Sequence, residues 1–197
     1  MPVTFNNRTI FPFPSYPPAP ANIDWTAYDA VATSVSPFTG QLQLQNWNSS
    51  WLEGSFQLPP LRGNPAQQWI AFLESLQGQT GCFQLGDPRF TAPQSGYSGS
   101  PTVAATAASG YNLTLNIPGG ALRVGDLIQI GYRMYRVTSE ANGALTIWPN
   151  IRESIPSGAA VVLQNCVGLW CLKDAKRSWS LGLQRVYGFN VDFREAI

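Results

Sequence analysis

The chain has 197 residues, enough for one large domain or two small ones, and its 44% hydrophobic and 12% aromatic content excludes disorder as the default state. Only 12% of residues are charged, about half the ~25% usual in soluble domains, and 12 Lys and Arg nearly balance 11 Asp and Glu. So neutral a chain argues against a sequence-specific nucleic-acid surface or membrane insertion, and its charge-poor exterior is expected to be covered largely by other protein chains.

Residues 1–23 hold six prolines (Pro2, Pro12, Pro14, Pro17, Pro18 and Pro20) among Phe5, Phe11, Phe13 and Tyr16. Proline fixes φ and removes a donor, so this stretch is expected to be an extended arm rather than an internal strand or a helix. Solvent is a poor environment for its aromatics. The arm is therefore expected to lie along its own domain or a neighbour, with Phe11, Phe13 and Tyr16 as the subunit contacts. No basic segment followed by an apolar run opens the chain and no 18-residue apolar stretch occurs, so neither secretion nor a membrane span is expected.

Short strands follow. Gln41 to Gln45 alternates polar and apolar residues, as a half-buried strand does, and a turn at Asn46–Ser50 leads into Trp51–Leu58. This predicts a hairpin with Trp47 and Trp51 flanking its turn. Next comes the one convincing helix, over residues 65–77. Asn64 is placed to cap it, Pro65 suits its first position, and Gln67 can reach back to the cap. Trp69, Phe72, Leu73 and Leu76 fall at i, i+3, i+4 and i+7, predicting an apolar stripe against a sheet, and Gly78 is placed to end the helix. Gly81 to Leu85 predicts a further short strand before Gly86-Asp87-Pro88.

Between about 91 and 165 the character changes to short apolar runs separated by Gly, Asn and Pro turns. These predict strands at 111–117, 127–130, 134–138, 144–148 and 159–163, an inserted small antiparallel barrel or sandwich. Lys173 to Arg177 looks like a solvated hairpin tip. Beyond it Trp179, Leu181, Leu183, Tyr187, Phe189, Val191 and Phe193 share one parity, predicting a strand pair or one long bent strand that rejoins the first sheet. The expected organisation is mainly β (α+β). Residues 1–23 form the arm, 24–90 with 166–197 a discontinuous body carrying the helix, and 91–165 the inserted domain.

Chemistry is sparse. Histidine is absent, which rules out histidine-based nucleophilic triads, and neither familiar phosphate-loop spacing occurs. Cys82, Cys166 and Cys171 lack metal-type spacing and are expected to be reduced and buried. Glu53, Glu74, Asp87, Asp126 and Glu153 are the carboxylates a glycosidase would draw on, but none has a distinguishing context. The tryptophans are candidates for a sugar or base platform, or for core and interface anchors. No catalytic, cofactor or metal site is expected.

The run Trp69-Ile70-Ala71-Phe72-Leu73-Glu74-Ser75-Leu76-Gln77-Gly78, followed by Gly81-Cys82-Phe83 and Gly86-Asp87-Pro88, resembles the helix, Gly-x-Phe and Asp-Pro pattern of tailed-phage tail-tip proteins. Gly125 to Ile130, Tyr135 to Val137 and Ile147 to Arg152 are similar to a segment recurring in those proteins, and Tyr187 to Ala196 fits their closing strand. The resemblance covers most of the chain beyond about residue 25 and is closest to distal tail proteins. It implies a tube-like β body with a helix and a ring, usually of six copies, joining the tail tube to the baseplate hub and fibres of a long non-contractile tail. It also implies assembly in the host cytoplasm and a final place in the virion. The chain departs from many such proteins in carrying its extra β domain mid-chain rather than at the C-terminus. A carbohydrate-binding module touching the host surface through Trp47 or Trp51 is the alternative from a different class, and a cell-wall hydrolase is a third.

Overall fold

The computed structural model describes residues 3–14 and 20–197. The chain is mainly β, with strands β1 (Val3–Phe5), β2 (Arg8–Phe11), β3 (Asn22–Val35) and β4 (Leu42–Gln57), then helix α1 (Asn64–Ser75) and β5 (Cys82–Gly86). The middle of the chain supplies β6 (Thr102–Val103), β7 (Gly110–Asn116), β8 (Leu127–Ile130), β9 (Arg133–Ala141), β10 (Ala144–Ile151) and β11 (Val161–Val162). It closes with β12 (Val167–Leu172), β13 (Trp179–Leu181) and β14 (Tyr187–Glu195). Two compact units result. One takes the described residues up to Thr26 with Leu52–Leu85 and Gly168–Ile197; the other takes Ala27–Trp51 with Gly86–Val167.

The first unit is organised by a sheet in the order β1-β2-β5-β12-β14-β4-β3, with β13 paired to β14. Here the N-terminal segment departs from the expected arm. Residues 3–11 contain no proline and keep their N–H donors, so β2 lies inside the sheet, antiparallel to β1 and parallel to β5 with Phe11 opposite Phe83. The prolines begin only at Pro12, where the chain leaves the sheet.

Helix α1 packs on this sheet through the predicted stripe: Trp69, Phe72, Leu73 and Leu76 are all buried. Its N-terminus differs from expectation. Asn64 is already helical, and Gly63, at φ +64°, occupies the cap position with no side-chain cap bond. Gln67 makes no capping box; its amide lies 3.4 Å from the Tyr187 hydroxyl. At the other end Gln77 and Gly78 both adopt positive φ and turn the chain back, and the Gly81 N–H bonds the Leu76 carbonyl at 2.8 Å. Arg177 donates to the carbonyls of Leu73 and Glu74 at 3.4 and 3.2 Å, placing a cation at the negative end of the helix.

Aromatic rings fill the space between helix and sheet. Phe56 lies 5.9 Å from Trp69 and 5.9 Å from Phe193, and Trp170 meets Phe193 edge-on at 5.2 Å. Gly54 faces Phe193 across the β4–β14 ladder because no side chain fits there: an added Cβ would stand 2.5 Å from the Asp24 carbonyl oxygen and 2.7 Å from the Phe193 ring.

The second unit contains a six-stranded antiparallel barrel in the order β11-β8-β9-β10-β7-β6, and a bridge between Thr102 and Ala160 brings its two ends together. Alternating residues such as Leu113, Leu115, Ile128, Val137, Leu145 and Ile147 fill its interior. Buried Asp126 pins the preceding segment to this barrel by accepting the N–H groups of Gln94 and Arg123 at 2.9 and 2.8 Å.

Candidate assembly surfaces

Three residues were expected to contact neighbouring subunits, and the structure redirects two of them. Phe13 packs against Phe56, Trp69, Phe72 and Phe83 with ring centroids 5.1–5.8 Å apart, so it belongs to the chain's own core. Phe11 is half-buried in β2, with its ring over Gly81. Tyr16 lies outside the described residues.

The largest exposed apolar stretch lies elsewhere, on β3 and β4. Strands β3 and β4 form a long hairpin closed by the Ser36 N–H to Gln41 carbonyl bond, with the Gly40 N–H returning to the Ser36 carbonyl. That closure sets Val35 opposite Leu42, so strand alternation brings Val31, Val35, Leu42 and Leu44 to one face. The alternation at Gln41–Gln45 therefore does mark a strand with one apolar face. The expected burial of that face does not occur within the chain: Leu42 is 56% exposed, Leu44 63%, and Phe38 at the tip 95%. From residue 31 to 48 every residue but Ser36 is exposed.

The middle of this hairpin is clamped on the barrel strand β10. Buried Ser50 donates its N–H to the Asn150 side-chain oxygen at 2.9 Å, and its hydroxyl accepts the Asn150 N–H at 2.8 Å. Arg152 donates to the Ser50 carbonyl, and the Trp148 indole donates to Asp29 at 2.9 Å. Trp51 stacks on Tyr28 at 5.6 Å with planes 9° apart, whereas Trp47 is 65% exposed. The two tryptophans proposed as a sugar platform thus stand in different settings. The clamp had no local signature, since its partners lie 100 or more residues apart.

A second apolar ridge lies on the first unit. In β13, Trp179 pairs with Phe189 and Leu181 with Tyr187, so both extend the core-facing side of β14 outward, where Trp179, Leu181 and Leu183 are exposed. The basic cluster before it is engaged rather than merely solvated: Lys173 pairs with Glu53 at 2.7 Å, and Arg177 holds the end of α1. A shallow open groove of about 330 Å³ borders β13, lined by Gln57, Ser178, Trp179, Ser180 and Asn190 among others.

The carboxylates have structural partners. Glu53 pairs with Lys173, Glu153 with Arg133 at 2.8 Å, and Asp87 accepts the Arg89 N–H; Glu74 is exposed on the helix. Among the described residues no group of three or more His, Cys, Asp or Glu is arranged to hold a metal ion, and no helix is long and apolar enough to cross a membrane. All three cysteines are buried free thiols. Burial pushes Cys166 up to about 11 and raises Cys171 as well, the latter opposed by Arg8 and Arg194, so both remain protonated at neutral pH. The structure thus concentrates its unsatisfied apolar surface on two β ribbons. Comparison with protein-family models and with curated proteins gives no match.

Proposed function

We propose that the protein is a structural virion component of a long-tailed phage, forming a ring, of six copies by analogy with distal tail proteins, that connects the tail tube to the baseplate hub and fibres. The observation that carries this reading is the exposed apolar face of the β3–β4 hairpin. An alternating strand with one leucine face is patterned for burial, yet here that face meets solvent, and natural edge strands blunt such exposure with charge. None is present: residues 30–52 contain no Asp, Glu, Lys or Arg. Together with the charge-poor composition and the order of motifs resembling tail-tip proteins, this favours a chain that works inside an assembly. Its role is geometric, with a rigid body stacking on the tube, a lumen left for DNA, and the barrel presented to hub or fibre proteins.

Particle imaging of the purified protein and of virions tests this. A closed ring with a hole wide enough for duplex DNA, placed at the end of the tail tube, is the expected result. A monomer that binds glycans saturably, loses that binding on Trp47→Ala, and never appears in virions would replace this reading with the carbohydrate-binding one.

A further inference from the structure

We infer that the β3–β4 hairpin of one copy docks on the β13 ridge of the next, a head-to-tail contact between two surfaces that each chain carries. The inference deepens the proposed ring and rests on its self-association. The hairpin offers Val31, Val35, Phe38, Leu42 and Leu44, on the order of 500 Å² of apolar surface, at the upper end of the range for the largest patch on a monomer, where such patches are often functional. The ridge offers Trp179 and Leu181 on the strand paired with β14, and Leu183 in the turn that follows it. Residues 30–52 and 178–184 both lack any charged residue, matching the depletion of charge at interface cores.

Charge at the rims selects the partner. Asp24 and Asp29 stand in the lower half of β3, and no Lys or Arg occurs between Arg8 and Arg62. Lys176, Arg177 and Arg185 flank the ridge, against the single acid Asp174, while Lys173 is already paired with Glu53 of its own chain. Two hairpins facing each other would bring like charges together, whereas a hairpin on a ridge brings opposite rims together. Because the two surfaces differ, the contact is heterologous, and repetition produces a ring when the rotation closes.

The test mixes two variants, Val35→Cys and Leu181→Cys, and treats them with a short bis-maleimide; the native thiols, at most 2% exposed, do not compete. The expected result is a covalent product between the two variants and none from either alone. Leu42→Asp with Leu44→Asp is expected to weaken self-association at least tenfold by light scattering, with an unchanged melting temperature. Coupling of Val35→Cys chains to one another, an unchanged assembled mass for the Asp variant, or a wild-type chain that stays monomeric at every concentration would each overturn the inference. A chain seen at the tail end of virions in which the two positions do not couple would overturn the docking while leaving the proposed function standing.

Discussion

From Glu53 to Gln57, β4 pairs with β14, and Phe56 is buried among Trp69, Phe83 and Phe193. From Leu42 to Trp47 the same strand keeps the same alternation, yet every residue is exposed. Both halves are equally strand-like in composition. The difference lies in what covers them: α1 and the neighbouring strands cover the first, and nothing within the described chain covers the second. Alternation specifies which side chains share a face, whereas burial requires a second surface, which can belong to another molecule.

The contrast predicts a steep gradient of mutational effects. Trp69→Ala should cost about 3–5 kcal/mol in urea unfolding, because the cavity opens at the centre of the aromatic cluster. Phe13→Ala should cost roughly 2–4 kcal/mol in the monomer, since its ring touches four core aromatics. An unchanged monomer combined with lost assembly would return Phe13 to the subunit contacts. Gly54→Ala should cost about 1–3 kcal/mol by thermal melting, as its methyl would press on the Asp24 carbonyl and the Phe193 ring.

The buried segment between β11 and β12 responds to pH. Cys166 holds its proton more tightly folded than unfolded, so stability is unaffected below pH 9 and falls as pH rises from about 9 to about 11. Cys166→Ala should flatten that decline in unfolding curves taken across the range. At the far end of the gradient, Leu42→Ser with Leu44→Ser should change monomer stability by no more than about 0.5 kcal/mol per site. A larger loss in the isolated chain would mean that this face is already packed.

Much of the body was visible in the sequence because its signals are local. The 3.6-residue spacing of Trp69, Phe72, Leu73 and Leu76 marks a buried stripe, and the turn-separated apolar runs mark the barrel strands. The misreadings came from signals whose resolution is non-local. Proline-rich composition masked the proline-free stretch 3–11, whose place beside β5 depends on residues more than 70 positions away. Asn64 had the chemistry of a cap, but Gly63 took the position through a positive φ that most residues adopt only with strain. The Ser50–Asn150–Arg152 clamp and the Arg177 contact with α1 join segments about 100 residues apart, and no local pattern announces them.

In the proposed docking the body is complete within one chain and the hairpin is completed by another. Amide hydrogen exchange on the dilute monomer and on the assembled protein tests it most directly. Slow exchange is expected in β12 and β14 in both states, and across residues 31–44 only after assembly. Equal protection of residues 31–44 in the two states would contradict it.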